Sequence, residues 1–121
     1  EGLPNPPTVT HGYVSKHSKN GEELKSIDMG ITSRPREIIA LEEDELIMND
    51  YADRKIKFAD FQQGQITDTI KLEDRPEHLT ISGNKAYAVG SDEDLLYVVN
   101  LETRTLERKI KIEGISSLSN Y

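Results

Sequence analysis

The chain repeats itself, and the length of the repeat limits what it can fold into. RPREIIALEEDELIMNDYADRKIKFADFQQGQITDTIKLE (34–73) is followed, after Asp74, by RPEHLTISGNKAYAVGSDEDLLYVVNLETRTLERKIKIEG (75–114). Arg34-Pro35 returns 41 residues later as Arg75-Pro76, whereas Ile66, Ile70 and Leu72 return 40 residues later as Leu106, Ile110 and Ile112, so one residue is lost between the anchors. Each copy carries four short apolar runs, rich in β-branched residues and separated by turn residues. Runs this short favour strands over helices.

The second unit reads as strands at Ile38–Leu41, Leu46–Met48, Ile56–Phe61 and Ile66–Leu72. The third repeats them at Leu79–Ile81, Lys85–Val89, Leu95–Leu101 and Leu106–Ile112. In the fourth strand the spacing predicts that Ile66, Asp68, Ile70 and Leu72 share one face. A first, partial unit (9–33) contains Val9–His17, an Asn20-Gly21 hairpin signal and Leu24–Met29, which together resemble the outer half of a repeat. The proline-rich residues 1–8 read as a lead-in loop, and 115–121 as the start of another unit. A unit of about 40 residues with four strands cannot cover its own apolar face and stacks on copies of itself. The expected fold is therefore all-β: antiparallel four-stranded blades of a β-propeller over residues 9–121. Propellers close with typically about four to eight blades, and this chain supplies two and a half. It is then an excerpt of a longer ring or one of several copies that complete a ring, the alternative being a compact β domain of two or three small sheets.

The third unit resembles the β-propeller repeats of the YVTN family. Pro76 opens it, Gly83-Asn84 turns into Lys85-Ala86-Tyr87-Ala88-Val89, and Leu96-Tyr97-Val98-Val99-Asn100-Leu101-Glu102-Thr103 leads into the outer hairpin. The second unit departs from that pattern, with Glu43–Glu45 in place of the glycine turn and Leu46 in place of Tyr87. NHL-type propellers are similar as well. Both resemblances imply a binding scaffold with no catalytic signature to carry over, and fold alone does not set function.

The net charge of −7 opposes a phosphate-binding surface and hence a nucleic-acid partner. The absence of cysteine excludes disulfides and thiolate chemistry. No apolar run is long enough to span a membrane as a helix, and the sequence gives no localisation. His11, His17 and His78 have no zinc-ligand spacing, and the turn acids match no complete calcium loop, so no metal or other cofactor is expected. No nucleophile motif, Walker loop or dinucleotide fingerprint occurs, so no catalytic residue is expected either.

Candidate binding residues come from the blade-entry loops and the loops between second and third strands, which open on one end of a propeller. They are Arg34, Arg75, Asp50, Tyr51, Asp53, Arg54, Asp92 and Asp94, a mixed rim suited to a protein or peptide. The competing structural reading pairs Arg34 and Arg75 with neighbouring acids to hold successive blades together. The expected function is a non-enzymatic interaction module. The alternatives are a fragment of a propeller enzyme whose catalytic groups stand on other blades, and a surface or structural repeat array.

Overall fold

The computed structural model describes residues 12–30, 34–91 and 95–111. Among these residues there are ten strands and no helix. β1 (Gly12–His17) and β2 (Glu23–Gly30) form a hairpin. β3 (Pro35–Ala40), β4 (Glu45–Asp50), β5 (Lys55–Asp60) and β6 (Gln65–Lys71) form an antiparallel four-stranded sheet in chain order. β7 (Pro76–Ser82), β8 (Lys85–Gly90), β9 (Leu95–Asn100) and β10 (Thr105–Lys111) form another. Three sheets in sequence order, the first with two strands, is the arrangement of successive propeller blades. The lead-in 1–8 and the unit starting at 115 lie outside the described residues.

Stacking of the sheets makes two apolar layers. Ile47, Ile56, Phe58, Ile70 and Leu72 of the second sheet meet Leu79, Ala86, Ala88, Tyr97 and Val99 of the third. On the opposite face of the second sheet, Leu46, Met48, Ala59 and Phe61 meet Val14, Ile27 and Met29 of the hairpin. Each large side chain so buried contributes roughly 1.5–3 kcal/mol. Strands β4 and β5 therefore lie between two neighbours, and their burial is nearly continuous rather than alternating. The hairpin does not reach the innermost strand, and Ile38 of β3 remains 48% exposed.

Two details of register differ from the sequence expectation. The Asn20-Gly21 signal sits in a longer connection, residues 18–22, in which the Gly21 N–H donates to the Ser18 carbonyl at 3.0 Å. A register shift beside His17 puts it opposite Glu23 and leaves Leu24 as the extra residue of β2. In the fourth strand, Asp68 stands opposite Phe58 and Ile66 opposite Ala59, leaving Thr67 as the extra residue of a β-bulge. The bulge reverses the facing of the strand, so Ile66 packs on the hairpin layer while Ile70 and Leu72 enter the other. The predicted shared face of Ile66, Asp68, Ile70 and Leu72 is thus split. Glu107 makes the matching bulge in β10.

The two complete blades solve one problem with different residues. Where the chain enters β3, the Arg34 N–H donates to Asp50 Oδ1 at 2.9 Å, and the Arg34 carbonyl accepts from the Tyr51 N–H at 3.1 Å. Where it enters β7, the Arg75 N–H donates at 2.7 Å to Oδ1 of Asp74, its immediate predecessor, and the Arg75 carbonyl accepts from the Ser91 N–H at 3.0 Å. Pro35 pairs with Asp50 and Pro76 with Gly90, so Gly90 stands at the Asp50 position of its blade. A Cβ on Gly90 would lie 2.6 Å from Asp74 Oδ2. The missing side chain is the space that the Asp74 carboxylate fills. Gly90→Ala is expected to cost about 2 kcal/mol or more, because Asp74 is buried and cannot withdraw into solvent without losing its N–H partner. The exchange Asp74→Ser/Gly90→Asp, which moves the carboxylate to the second blade's position although Tyr97 stands where Lys57 does, is expected to recover part of the loss seen in Gly90→Asp alone. Urea melts of the three variants read this out.

The outer turns show a second exchange. Gly64 (φ 70°) and Arg104 (φ 59°) occupy the same left-handed position, each N–H donating at 2.8 Å to the carbonyl of the residue four before, Asp60 or Asn100. Arg104 keeps this costly conformation while its side chain reaches back to the second blade. There it pairs with Glu45 at 3.0 Å and Asp68 at 3.3 Å and lies 4.8 Å from the Phe58 ring centroid. Arg104→Ala is expected to be less stable than Arg104→Gly by about 1 kcal/mol, since both lose the guanidinium but only alanine pays for positive φ.

Candidate functional site

Strands that run in alternating directions put the entry loops and the β4–β5 and β8–β9 connections at one end of the blades. Six of the eight residues that the sequence assigned to that end lie within the described residues; Asp92 and Asp94 do not. Arg34 and Arg54 are exposed, Tyr51, Asp53 and Arg75 half-buried, and Asp50 fully buried. Arg54 (φ 58°) closes the β4–β5 turn, and its carbonyl accepts from the Leu72 N–H at 2.8 Å.

The centre of this end is the Tyr51 ring. The guanidinium carbon of Arg75, from the entry loop of the third blade, lies 5.6 Å from its centroid. That of Arg36, on β3, lies 4.7 Å away. Arg75 thus links successive blades through an aromatic face rather than through a neighbouring acid, the reverse of the ion-pair reading. Arg36 was not among the expected site residues. Its signal was weak: an Arg-Pro-Arg run in which the second arginine stands at a strand position whose side chain faces solvent.

Asp50 and Asp53, which flank Tyr51 in the chain, belong to a buried ionic group. Lys57 Nζ donates to Asp50 Oδ2 at 2.9 Å and to Asp53 Oδ2 at 2.7 Å, with the lysine side chain 5% and the Asp50 side chain 0% exposed. The second Asp50 oxygen accepts from the Arg34 and Asp53 N–H groups. Burial pulls the Lys57 pKa down, the hydrogen bonds to Asp53 and Asp50 raise it, and the balance lies above the ordinary lysine value of 10.5. Asp50 therefore shapes the loop from below instead of offering a carboxylate to solvent. The register gives the third blade's equivalent of Lys57 as Tyr97, since Met48 faces Lys57 as Ala88 faces Tyr97. Burial pushes the Tyr97 hydroxyl up, and Asp74 raises it further.

Further inward, polar ties join the blades. The Asn49 amide donates to the Pro76 carbonyl at 3.3 Å while its oxygen accepts from the Glu37 N–H at 2.6 Å. Glu37 in turn accepts from the Leu79 N–H. The inner edge of β7 is thus held by a side chain of the preceding blade. At the opposite end of the blades, Leu41, Glu42, Ile81, Asn84, Glu102 and Arg104 contribute to an open groove of about 400 Å³. Among the described residues no three His, Cys, Asp or Glu side chains gather as metal ligands would, and no helix is long and apolar enough to cross a membrane.

No protein-family profile matches the chain, and no curated protein matches it. Solved structures do. Hydrazine synthase from Kuenenia stuttgartiensis superposes with a TM-score of 0.69 at 17% identity, over 81% of this chain and 29% of that one. AztD from Citrobacter koseri gives 0.68 at 13% identity, over 88% and 31%. The WD40 β-propeller domain of Doa1 gives 0.64 at 19% identity, over 79% and 32%. The chain therefore spans about a third of the length of these structures. At such identities the likeness is one of fold, and the fold is a β-propeller.

The buried lysine makes stability depend on alkaline pH. A lysine whose pKa is higher folded than unfolded stabilises fully below 10.5 and loses that contribution as pH rises through the folded value. Lys57→Met, which takes the buried ammonium away from Asp50 and Asp53, is expected to cost about 3 kcal/mol, and Asp50→Asn/Lys57→Met appreciably less. Urea midpoints of wild type and the double variant are expected to converge as pH is raised from 8 to beyond 11, because the wild type alone has this lysine to lose.

Proposed function

We propose that the chain is a non-enzymatic interaction module: blades of a β-propeller, of YVTN-like or NHL-like repeat type, that present the Tyr51 end to a protein or peptide. The observation that carries this reading is the Arg36–Tyr51–Arg75 cluster, held on a rigid base by the Asp50–Lys57–Asp53 group and contributed by two blades. Aromatic and arginine side chains on a fixed scaffold are the residues that dominate binding at protein interfaces. The WD40 domain of Doa1 shares the fold and supports the reading by analogy. The YVTN-like assignment draws on the Gly83-Asn84 turn and the Tyr87 strand that follows it.

A second reading, part of a propeller enzyme with catalytic groups on other blades, draws on the likeness to hydrazine synthase, of which the chain spans 29%. The two readings separate at the Tyr51 end. If the module reading holds, Tyr51→Ala and Asp53→Ala weaken capture of the native partner by about tenfold, the scale of a strong interface contact. Glu42→Gln and Glu102→Gln, at the opposite end, leave capture unchanged. Cross-linking pull-downs from the native host, quantified by mass spectrometry, measure this, and equal losses from both ends would remove the assignment.

A further inference from the structure

We infer that the Arg36–Tyr51–Arg75 cluster is a carboxylate-binding site for an acidic peptide segment, one bearing Asp or Glu side chains. The inference rests on the module reading and adds the chemistry of the partner. In a chain with a net charge of −7, acids are abundant, and the cations with neighbours of opposite sign use them. Lys16, Lys57, Lys85, Arg104 and Lys109 are each held by at least one carboxylate. Arg36 and Arg75 are not. Among the described residues neither guanidinium has a carboxylate partner, and the contact each makes is with the Tyr51 ring, at 4.7 Å and 5.6 Å. Other cations without an acid, such as Lys19, Lys71 and Lys111, stand exposed with no ring beside them. Here two guanidinium groups from two blades converge on one ring.

Their geometry favours a carboxylate. A guanidinium stacked on a ring presents its face to the π system and leaves its N–H edge free, the fork that matches the two oxygens of a carboxylate. Two like charges held against one ring also repel each other, and the ring offsets only part of this. A carboxylate bound at either fork offsets the rest. A nucleic acid is disfavoured because the overall charge repels an extended polyanion. One or two carboxylates on a peptide carry too little charge to be repelled in the same way and gain the full local contact.

The test uses the 121-residue chain and an array of immobilised dodecapeptides graded in Glu content, each with a counterpart carrying Gln in place of Glu. Retention is expected to rise with Glu content, to fall as salt is raised, and to drop about tenfold in R36Q and in R75Q. R36K, which keeps the charge but not the fork, is expected to behave like R36Q. Arg108→Gln on the exposed outer strand is expected to leave retention unchanged, and circular dichroism checks that each variant is folded. Equal retention of Glu and Gln peptides, or no effect of R36Q and R75Q, overturns the inference. So does capture of a dodecathymidylate with the same arginine dependence, which would make the site one for phosphate. In either case, continued dependence of native-partner capture on Tyr51 and Asp53 would leave the module reading standing, and its loss would remove both.

Discussion

A carboxylate buried where the chain enters each complete blade is the point on which the local architecture turns. The entry residue arrives with a backbone N–H that no strand ladder satisfies, at a place only partly open to water. An unsatisfied donor there would cost about as much as a lost hydrogen bond. Asp50 meets this need in one blade and Asp74 in the next. Their consequences differ. Asp50 needs a counter-charge and receives one from Lys57, which draws in Asp53 and fixes the β4–β5 turn. Asp74 needs room, which Gly90 provides. The turn that carries Tyr51 is therefore rigid because a charge beneath it had to be neutralised.

Around these polar points the blades are joined by ordinary apolar stacking, reinforced at two radii. Near the inner strands Glu37 and Asn49 bond across to Leu79 and Pro76. At the outer turns Arg104 crosses back to Glu45 and Asp68. Hydrophobic contact brings the sheets together but is not directional. The side chain-to-backbone bonds set which strand end faces which, and so decide that Arg75 of one blade arrives over the ring of Tyr51 in another.

The fold was largely legible because a blade writes itself in short apolar runs at a fixed period, and among the described residues each proposed run overlaps an observed strand, with 9–11 and 112 lying outside them. What failed depended on a single residue's register. The bulge at Thr67 moves Ile66 to the opposite layer from Ile70, and nothing in the alternation QITDTIKL signals it. The candidate end was found from loop logic, and Tyr51 and Arg75 do meet there. Arg36 was missed because strand arginines are usually plain surface charges. The depth of Asp50 was missed because an acid beside a turn normally reads as solvated, and the burial of Lys57 is what reverses this.

The interchange of Asp50 and Asp74 also bears on how such repeats are copied. Cut at Arg34 and Arg75, where the sequence likeness begins, the two units look equivalent. They are not, because one carries its entry carboxylate at the end of its second strand and the other borrows it from the residue before the cut. A recombination that joined Asp74-Arg75 to a second strand ending in Asp50 would place two carboxylates against one N–H. The reciprocal product, Ser33-Arg34 with Gly90, would place none. Exchange is therefore silent only when the breakpoint falls outside the stretch from Asp74 to Gly90, so the part of this unit that must be inherited together begins one residue earlier than its visible repeat.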